Sequence, residues 1–127
     1  MQAQEWAHSY RYSLKKDELA RVDITSTNSG KSVKYELFFR WTLVVKDRVT
    51  LLLNYKGHPY QYVLYKKRSL DTIRVELLND GQNKLKDKTF LILVLDKIDK
   101  KEGEVSFNLF IKDKNSRILV DFKKADK

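Results

Sequence analysis

The residues that decide the fold are Val33–Val45, with the sequence VKYELFFRWTLVV. Large apolar side chains occupy alternate positions, and mostly polar or charged ones stand between them. A two-residue period is that of a β-strand with one face in a core. Trp41 shares the apolar parity, so we expect it in the main core. Because residues 37–39 interrupt the strict alternation, we also expect a β-bulge or bend near Phe38.

The same period recurs along the rest of the chain. Further strands are predicted over residues 6–14, 20–24, 49–55, 60–65, 89–98, 105–111 and 118–122. The three residues 46–48 are enough only for a hairpin turn, and Gly57 and Pro59 mark the next tight reversal. These short connections predict antiparallel meanders.

Segment 68–78 fits two kinds of element. Leu70, Ile73 and Leu77 are spaced for one face of a helix, but the alternating β-branched residues of 72–75 favour a strand. We predict a strand here and keep the helix as the alternative.

Eight or nine strands in 127 residues indicate an all-β protein. We predict an immunoglobulin-like antiparallel β-sandwich, with an up-and-down β-barrel as the alternative. The sandwich is favoured because the loop 79–88 and the break at 15–18 are long enough to cross between two sheets. A chain of this length supports one packed core, so residues 1–127 are predicted to form a single domain.

The charge of the chain limits the classes of partner that it can be expected to bind. There are 26 basic and 17 acidic residues, which gives a formal net charge of +9, and lysine outnumbers arginine by 19 to 7. Specific nucleic-acid readers depend on the bidentate contacts of arginine, so a lysine-rich excess favours solubility or a diffuse attraction to acidic surfaces. No apolar run approaches the roughly 20 residues of a membrane-spanning helix. The absence of cysteine excludes disulfides and thiolate sites.

Motifs for catalysis or cofactor binding are missing. The two histidines, His8 and His58, have no partner at a metal-ligand spacing. The serines lack a Gly-x-Ser-x-Gly context, and none of the four glycines belongs to a phosphate-binding loop. Neighbouring carboxylates such as Asp17 and Glu18 follow lysines, which is typical of solvated turns. We therefore predict a protein that is not an enzyme and that has no catalytic residues, metal or cofactor.

Two features indicate a partner surface. Tyrosines and cations are interleaved along and after the strand 60–65, and aromatic residues rimmed by cations are typical of interfaces. In segment 89–98, leucines stand on the parity expected to face water, where they would form an unusually large apolar patch. The predicted partner surface comprises Tyr60, Tyr62, Tyr65, Lys66, Lys67, Arg68, Leu91, Leu93 and Leu95. The alternatives are that the tyrosines are ordinary strand residues and that neighbouring segments cover the leucines.

The strand Val33–Val45, the hairpin at 46–48 and the late hairpin 107–122 occur in a lysine-rich chain in which Gln2-Ala3-Gln4 follow Met1. In these respects the chain resembles the mature part of small bacterial cell-envelope lipoproteins with an immunoglobulin-like β-sandwich. The lipid-bearing cysteine of such proteins is missing, as is the Cys, Trp, Cys spacing of antibody domains. The resemblance implies an extracytoplasmic protein, periplasmic or attached to the outer membrane. Attachment would need a lipid anchor that this chain lacks.

Three classes of function stay open. A binding or structural module of the cell envelope, acting on a protein partner or on itself, predicts a filled core and an exposed apolar or tyrosine-rich patch. A carrier of a small apolar ligand predicts a barrel with an internal cavity. Its lining would consist of Trp6, Tyr35, Phe39 and Trp41. A nucleic-acid binder, which we do not expect to be sequence-specific, predicts a basic stripe through Lys56 and residues 66–68.

Overall fold

A computed structural model describes residues 6–26, 32–67, 70–77, 89–113 and 118–124. These residues form nine strands and no helix, so none of them belongs to a helix that could cross a membrane. The strands are β1 (His8–Lys15), β2 (Ala20–Ser26), β3 (Val33–Val45), β4 (Arg48–Tyr55), β5 (His58–Tyr65), β6 (Thr72–Glu76), β7 (Phe90–Asp99), β8 (Glu104–Lys112) and β9 (Ile118–Lys124).

The strands pair antiparallel in two sheets. The five-stranded sheet has the order β5-β4-β3-β2-β9, and the four-stranded sheet has the order β1-β8-β7-β6. Each sheet is a meander completed by one strand from the other end of the chain, since β9 pairs with β2 and β1 pairs with β8. Both sheets keep two edge strands and do not close into a barrel. The all-β class and the sandwich are therefore confirmed.

The core lies between the two sheets and is built from alternate residues of each strand. On β3, Leu37, Phe39 and Trp41 point inward and are buried, which confirms the position predicted for Trp41. Across the interface, the ring of Phe39 meets the ring of Phe107 edge to face, with centroids 5.6 Å apart. Burial of this continuous apolar layer is the main source of stability in a chain without disulfides.

Three aromatic side chains also join the sheets by hydrogen bonds. The indole Nε1 of Trp41 on β3 donates to the carbonyl oxygen of Leu14 on β1, 2.8 Å away. The hydroxyl of Tyr55 on β4 donates to the carbonyl oxygen of Leu77, which directly follows β6, at 2.6 Å. The Tyr12 hydroxyl on β1 makes the third such bond, to the five-stranded sheet. The polar groups of these three side chains are thus paired, which avoids the penalty of an unsatisfied group.

The bulge in β3 is not where the sequence predicts it. Residues 37–39 pair with β4 in unbroken register, so the bulge expected near Phe38 is wrong. The register shifts instead between Trp41 and Leu43, which makes Thr42 the extra residue. At this point the Trp41 carbonyl oxygen accepts a hydrogen bond from the backbone N–H of Asp17, 2.9 Å away in the β1–β2 turn.

The bulge reverses the parity of the last residues of β3. Val44 turns inward and packs against the core, while Leu43 and Val45 face solvent with exposed fractions of 53% and 40%. Strict alternation along Val33–Val45 predicts Leu43 and Val45 in the core, and for these two residues the prediction is wrong. One inserted residue is sufficient to exchange the two faces of a strand.

Some of the remaining local predictions concern described residues, and others concern residues outside the described ranges. The hairpin at 46–48 is confirmed by a turn at Lys46 and Asp47, in which Lys46 has a φ of 56°. In segment 68–78, β6 pairs with β7, so the strand is confirmed over 72–76 and the helix is not formed there. Residues 68, 69 and 78, the loop 79–88 and the first residues of the chain lie outside the described ranges.

Candidate functional site

The predicted tyrosines lie on β5, an edge strand of the five-stranded sheet. β5 pairs with β4 on one side, and Leu64 is its only buried residue. Tyr60 and Tyr62 stand on the inward side of the strand, whereas Tyr65 belongs to the outer side. The strand therefore brings the three tyrosines to one edge of the sandwich and divides them between its two faces.

The two inward tyrosines form an aromatic pair at the margin of the core. The rings of Tyr60 and Tyr62 are stacked, with centroids 6.2 Å apart and an interplanar angle of 27°. Tyr62 packs against the core, and its partial burial raises the pKa of its hydroxyl, as does the neighbouring Tyr60. Tyr60 is 47% exposed. The two rings form an apolar surface that extends from the margin of the core to solvent.

The predicted cations occupy the carboxyl end of β5. Lys66 and Lys67 are exposed, while Arg68 lies outside the described residues. The guanidinium of Arg48, on β4, lies 5.8 Å from the centroid of the Tyr65 ring. Lys56, in the turn before β5, lies 4.3 Å from the ring of Tyr35.

These cations do not form the continuous basic stripe predicted for a nucleic-acid binder. Lys56 precedes β5, and Lys66 and Lys67 follow it. The strand between them has eight residues without a lysine or arginine, a separation of about 25 Å. The structure therefore places Lys56 at one end of an uncharged strand and Lys66 and Lys67 at the other.

The leucines predicted as part of the partner surface are in the core. Leu91 and Leu93 have exposed fractions of 0% and Leu95 of 1%. Their parity on β7 is the inward one, and the outward positions are taken by Ile92 and Val94, both half-buried. This part of the prediction is wrong, because β7 is apolar on both faces and the pattern alone does not identify the inward one.

The edge strands differ in how they carry charge. Edge strands expose unpaired backbone groups, and natural proteins protect them with charged side chains. Three of the four edges in the described structure contain such residues. They are Arg11 and Lys15 on β1, Arg74 and Glu76 on β6, and Asp121, Lys123 and Lys124 on β9. β5, with the sequence HPYQYVLY, contains no Asp, Glu, Lys or Arg.

The register of the β4–β5 hairpin identifies which backbone groups of β5 point away from the sheet. Residues flanking a two-residue turn form a hydrogen-bonded pair, and such pairs alternate along the ladder. The turn is Lys56 and Gly57, with φ values of 55° and 79°, so the odd-numbered residues of β5 direct their N–H and C=O groups outward. In agreement, the N–H of Tyr65 donates outside the ladder, to the carbonyl oxygen of Leu70 at 3.0 Å.

Gln61 and Val63 are therefore the open positions of β5. Within the described ranges, β5 pairs with no strand other than β4, and no further backbone hydrogen bond involves Gln61 or Val63. Pro59, the only proline of the chain, occupies the odd-numbered position before them, where its missing N–H removes no ladder bond. The sequence locates these tyrosines but not this edge, which depends on the strand order.

An exposed apolar surface on the outer face adjoins β5. Val63 is 47% exposed and lies in one row with Thr50 and Leu43, which the bulge turns outward. The next row contains Val45 and Tyr65 on either side of Arg48. The signal for this surface in the sequence is the run of three consecutive apolar residues 43–45, which marks the true break in alternation.

The barrel on which the carrier hypothesis depends is not formed. Phe39 and Trp41 pack in the core between the sheets. Trp6 lies against Phe90 and Phe110, with ring centroids 6.3 and 5.4 Å away, on the outer side of the four-stranded sheet. The aromatic residues predicted to line one cavity are therefore distributed over separate parts of the molecule.

Other concave places offer less chemistry. A cleft of about 280 Å³ at one end of the sandwich is lined by the apolar Trp41, Val44 and Val105 together with charged residues such as Lys100 and Glu104. Within the described residues, His, Asp and Glu form no group of three that could hold a metal ion.

Comparison with known proteins gives no match. No family model fits the chain, and neither a curated protein nor a solved structure is similar to it. The fold and the β5 edge are thus the observations from which a function can be argued.

Proposed function

We propose that the protein is a non-enzymatic binding module whose protein partner adds an extended segment as a further strand beside β5. The observation that carries this proposal is the outward-facing backbone of an uncharged edge strand. In strand addition, main-chain hydrogen bonds supply affinity, and the side chains flanking the edge supply specificity. An unprotected edge with unpaired N–H and C=O groups is the surface that this mode of binding requires.

The two faces of β5 would contact alternate side chains of the added segment. Tyr60 and Tyr62 lie on one side of the edge, and Val63 and Tyr65 lie on the other. Side chains alternate between the faces of a strand, so each second residue of the partner would meet an aromatic wall or an apolar outer surface. Large apolar contacts of this kind dominate interface energies.

The docking region has defined ends. At the carboxyl end, the bond from Tyr65 N–H to Leu70 already uses one outward donor. At the amino end, Pro59 has no N–H to offer. The added segment would therefore bond to the N–H and C=O groups of Gln61 and Val63 and extend to the carbonyl oxygen of Pro59. This core of about five residues is typical of a short strand.

The test is made at Gln61 with two variants that separate backbone from side chain. Twelve-residue peptides selected from a random displayed library on the wild-type protein are measured by fluorescence anisotropy. Gln61→Pro removes the outward N–H, and we expect it to weaken binding at least about tenfold. Gln61→Ala keeps the N–H and should stay within about twofold of the wild type.

The proposal fails if no peptide binds with a Kd below about 1 mM, or if Gln61→Pro binds the peptides as well as Gln61→Ala does. Thermal melting of both variants shows whether the fold is kept, because a global loss of structure would weaken every ligand. Hydrogen exchange gives a direct test. Strand addition predicts that the amides of the bound peptide and those of residues 61 and 63 become protected together.

A location in the cell envelope stays a prediction that rests on the resemblance to lipoproteins. A module that binds extended segments by its edge suits such a location, because it needs neither cofactor nor energy source. Fractionation of cells producing the natural gene product would test it, and recovery with the cytosolic fraction would contradict it.

A further inference from the structure

The charges at the two ends of β5 point to the chemistry of the segment that binds it. Four cations surround the carboxyl end, namely Lys46 and Arg48 in the neighbouring hairpin and Lys66 and Lys67 after the strand. Asp47, in the same hairpin, is half-buried, and its carbonyl oxygen accepts the N–H of Lys66 at 2.8 Å. Asp71, next to the Leu70 that accepts the N–H of Tyr65, is a second carboxylate near this end, so the cations of the described residues exceed the carboxylates by four to two.

The amino end of β5 is also basic. Lys56 is exposed and lies over the rings of Tyr35 and Tyr55, at 4.3 and 5.4 Å from their centroids. The nearby carboxylate of Glu36 is bound by Arg21, with Nη2 and Oε2 2.8 Å apart. Because the strand itself is uncharged, the edge presents an apolar centre between two positive ends.

We propose, on the basis of the function proposed above, that the segment added to β5 is acidic at its ends and apolar at its centre. Carboxylates flanking such a segment would lie beside Lys66 and Lys67 at one end and Lys56 at the other. Charge complementarity of this kind raises the association rate and selects among partners. It adds to the main-chain hydrogen bonds, which do not distinguish one sequence from another.

A second copy of this chain is the less suitable occupant. Antiparallel pairing of two β5 strands would place Lys66 and Lys67 of one copy beside Lys56 of the other. Each copy also carries a net charge of +9, so the two copies would repel each other through these lysines and through their net charges. The acidic segment of a different protein meets neither objection.

Two synthetic peptides test the inference. Both have the centre Thr-Val-Thr-Val-Thr; one carries two glutamates at each end, and the other carries two lysines. We expect the glutamate peptide to bind about tenfold more tightly than the lysine peptide at 50 mM salt. The ratio of their two Kd values should fall towards one at 0.5 M salt. The double variant Lys66→Gln, Lys67→Gln should reduce that ratio about threefold.

A matched control and the Gln61→Pro variant separate the two proposals. Lys100 and Lys101 are adjacent exposed lysines in the β7–β8 turn, so their double change to glutamine alters net charge equally and should leave the ratio unchanged. If the two peptides bind equally well and both lose binding to Gln61→Pro, strand addition holds and the acidic preference is wrong. If Gln61→Pro affects neither peptide, strand addition itself is wrong.

Two further outcomes would overturn the acidic segment in favour of another occupant. A molar mass in solution of two chains, reduced to one by Gln61→Pro, would identify a second copy at this edge. A single-stranded oligonucleotide that displaces the glutamate peptide and binds Gln61→Pro as well as wild type would identify a nucleic-acid surface.

Discussion

The two edges of the five-stranded sheet, β9 and β5, are built in opposite ways. β9 carries three charged residues, of which Lys123 pairs with Asp23 of β2 at 3.0 Å. The Phe122 ring of β9 also stacks on Tyr10 of the other sheet, with centroids 5.0 Å apart. β5 carries no charged residue, and its outward backbone groups at Gln61 and Val63 have no second strand in the described structure. In the five-stranded sheet, the protected edge is therefore the one at which β9 meets β1, the first strand of the chain.

The anchor of the β9 side is Asp23 on β2. Its side chain is on the outer face, yet the residue is only 4% exposed because cations cover it. Arg21 Nε and Lys123 Nζ lie 2.8 and 3.0 Å from its carboxylate, and Lys34 Nζ lies 3.6 Å away. The hydrogen bond from Arg21 lowers the pKa of Asp23 to about 2, with Lys123 contributing in the same direction against the effect of burial. No comparable group stabilises β5 within the described residues.

The largest predicted effect is on the inner side of β5. Tyr60→Pro should cost about 3 kcal/mol in the free energy of unfolding, because an even-numbered residue of β5 donates its N–H to β4. Gln61→Pro, one residue further on, should cost less than about 1 kcal/mol because its N–H points outward. Urea denaturation of both variants, with Tyr60→Ala to measure the loss of the ring, checks this difference. Equal costs for the two prolines would show that the open edge has been assigned to the wrong residues.

The periodicity of the sequence is sufficient to predict the strands and their class. Val33–Val45 alternates because one face is buried, and the turn at Lys46 and Asp47 leaves room only for an antiparallel return. Tyr60 and Tyr62 share the parity of Leu64, and all three point inward as their spacing indicates. These features are local, so neighbouring residues suffice to determine them.

The parts of the candidate site that sequence could not provide depend on non-local pairing. Whether β5 is an edge is decided by the strand order, to which β9 contributes from the far end of the chain. The sequence predicts the wrong face for Leu93, because β7 has apolar residues on both sides and its alternation is uninformative. The bulge at Thr42 exposes Leu43, and only the run 43–45 in the sequence gave a local sign of it.

A smaller effect is predicted for the β9 edge on acidification. A carboxyl whose pKa is lowered by folding stabilises the folded state above its ordinary pKa, and this stabilisation is lost as the pH falls towards the folded value. For Asp23 the window runs from an ordinary pKa of 3.8 to about 2. We expect the free energy of unfolding of the wild type to exceed that of Asp23→Asn by about 2 kcal/mol at pH 6 and by almost nothing near pH 2. The difference at pH 6 is limited because the surrounding cations are partly solvated. Denaturant unfolding at both pH values checks this, and a difference that persists unchanged at pH 2 would contradict a role for the Asp23 charge.

The smallest predicted effect compares a tyrosine hydroxyl that anchors β9 with one at β5. The Tyr12 hydroxyl donates to the carbonyl oxygen of Lys123, 2.8 Å away, and lies 3.1 Å from that of Arg21, so it joins β1 to both β9 and β2. Burial raises the pKa of this hydroxyl, which therefore stays protonated as a donor. Tyr12→Phe should cost about 1 kcal/mol, because a partly buried carbonyl loses its partner. Tyr60→Phe, at a ring 47% exposed, should change the free energy of unfolding by less than about 0.5 kcal/mol. Both variants keep the ring, so urea denaturation reports the hydroxyl alone. A cost at Tyr60 equal to that at Tyr12 would mean that β5 is anchored as firmly as β9, and the contrast between the two edges would then be lost.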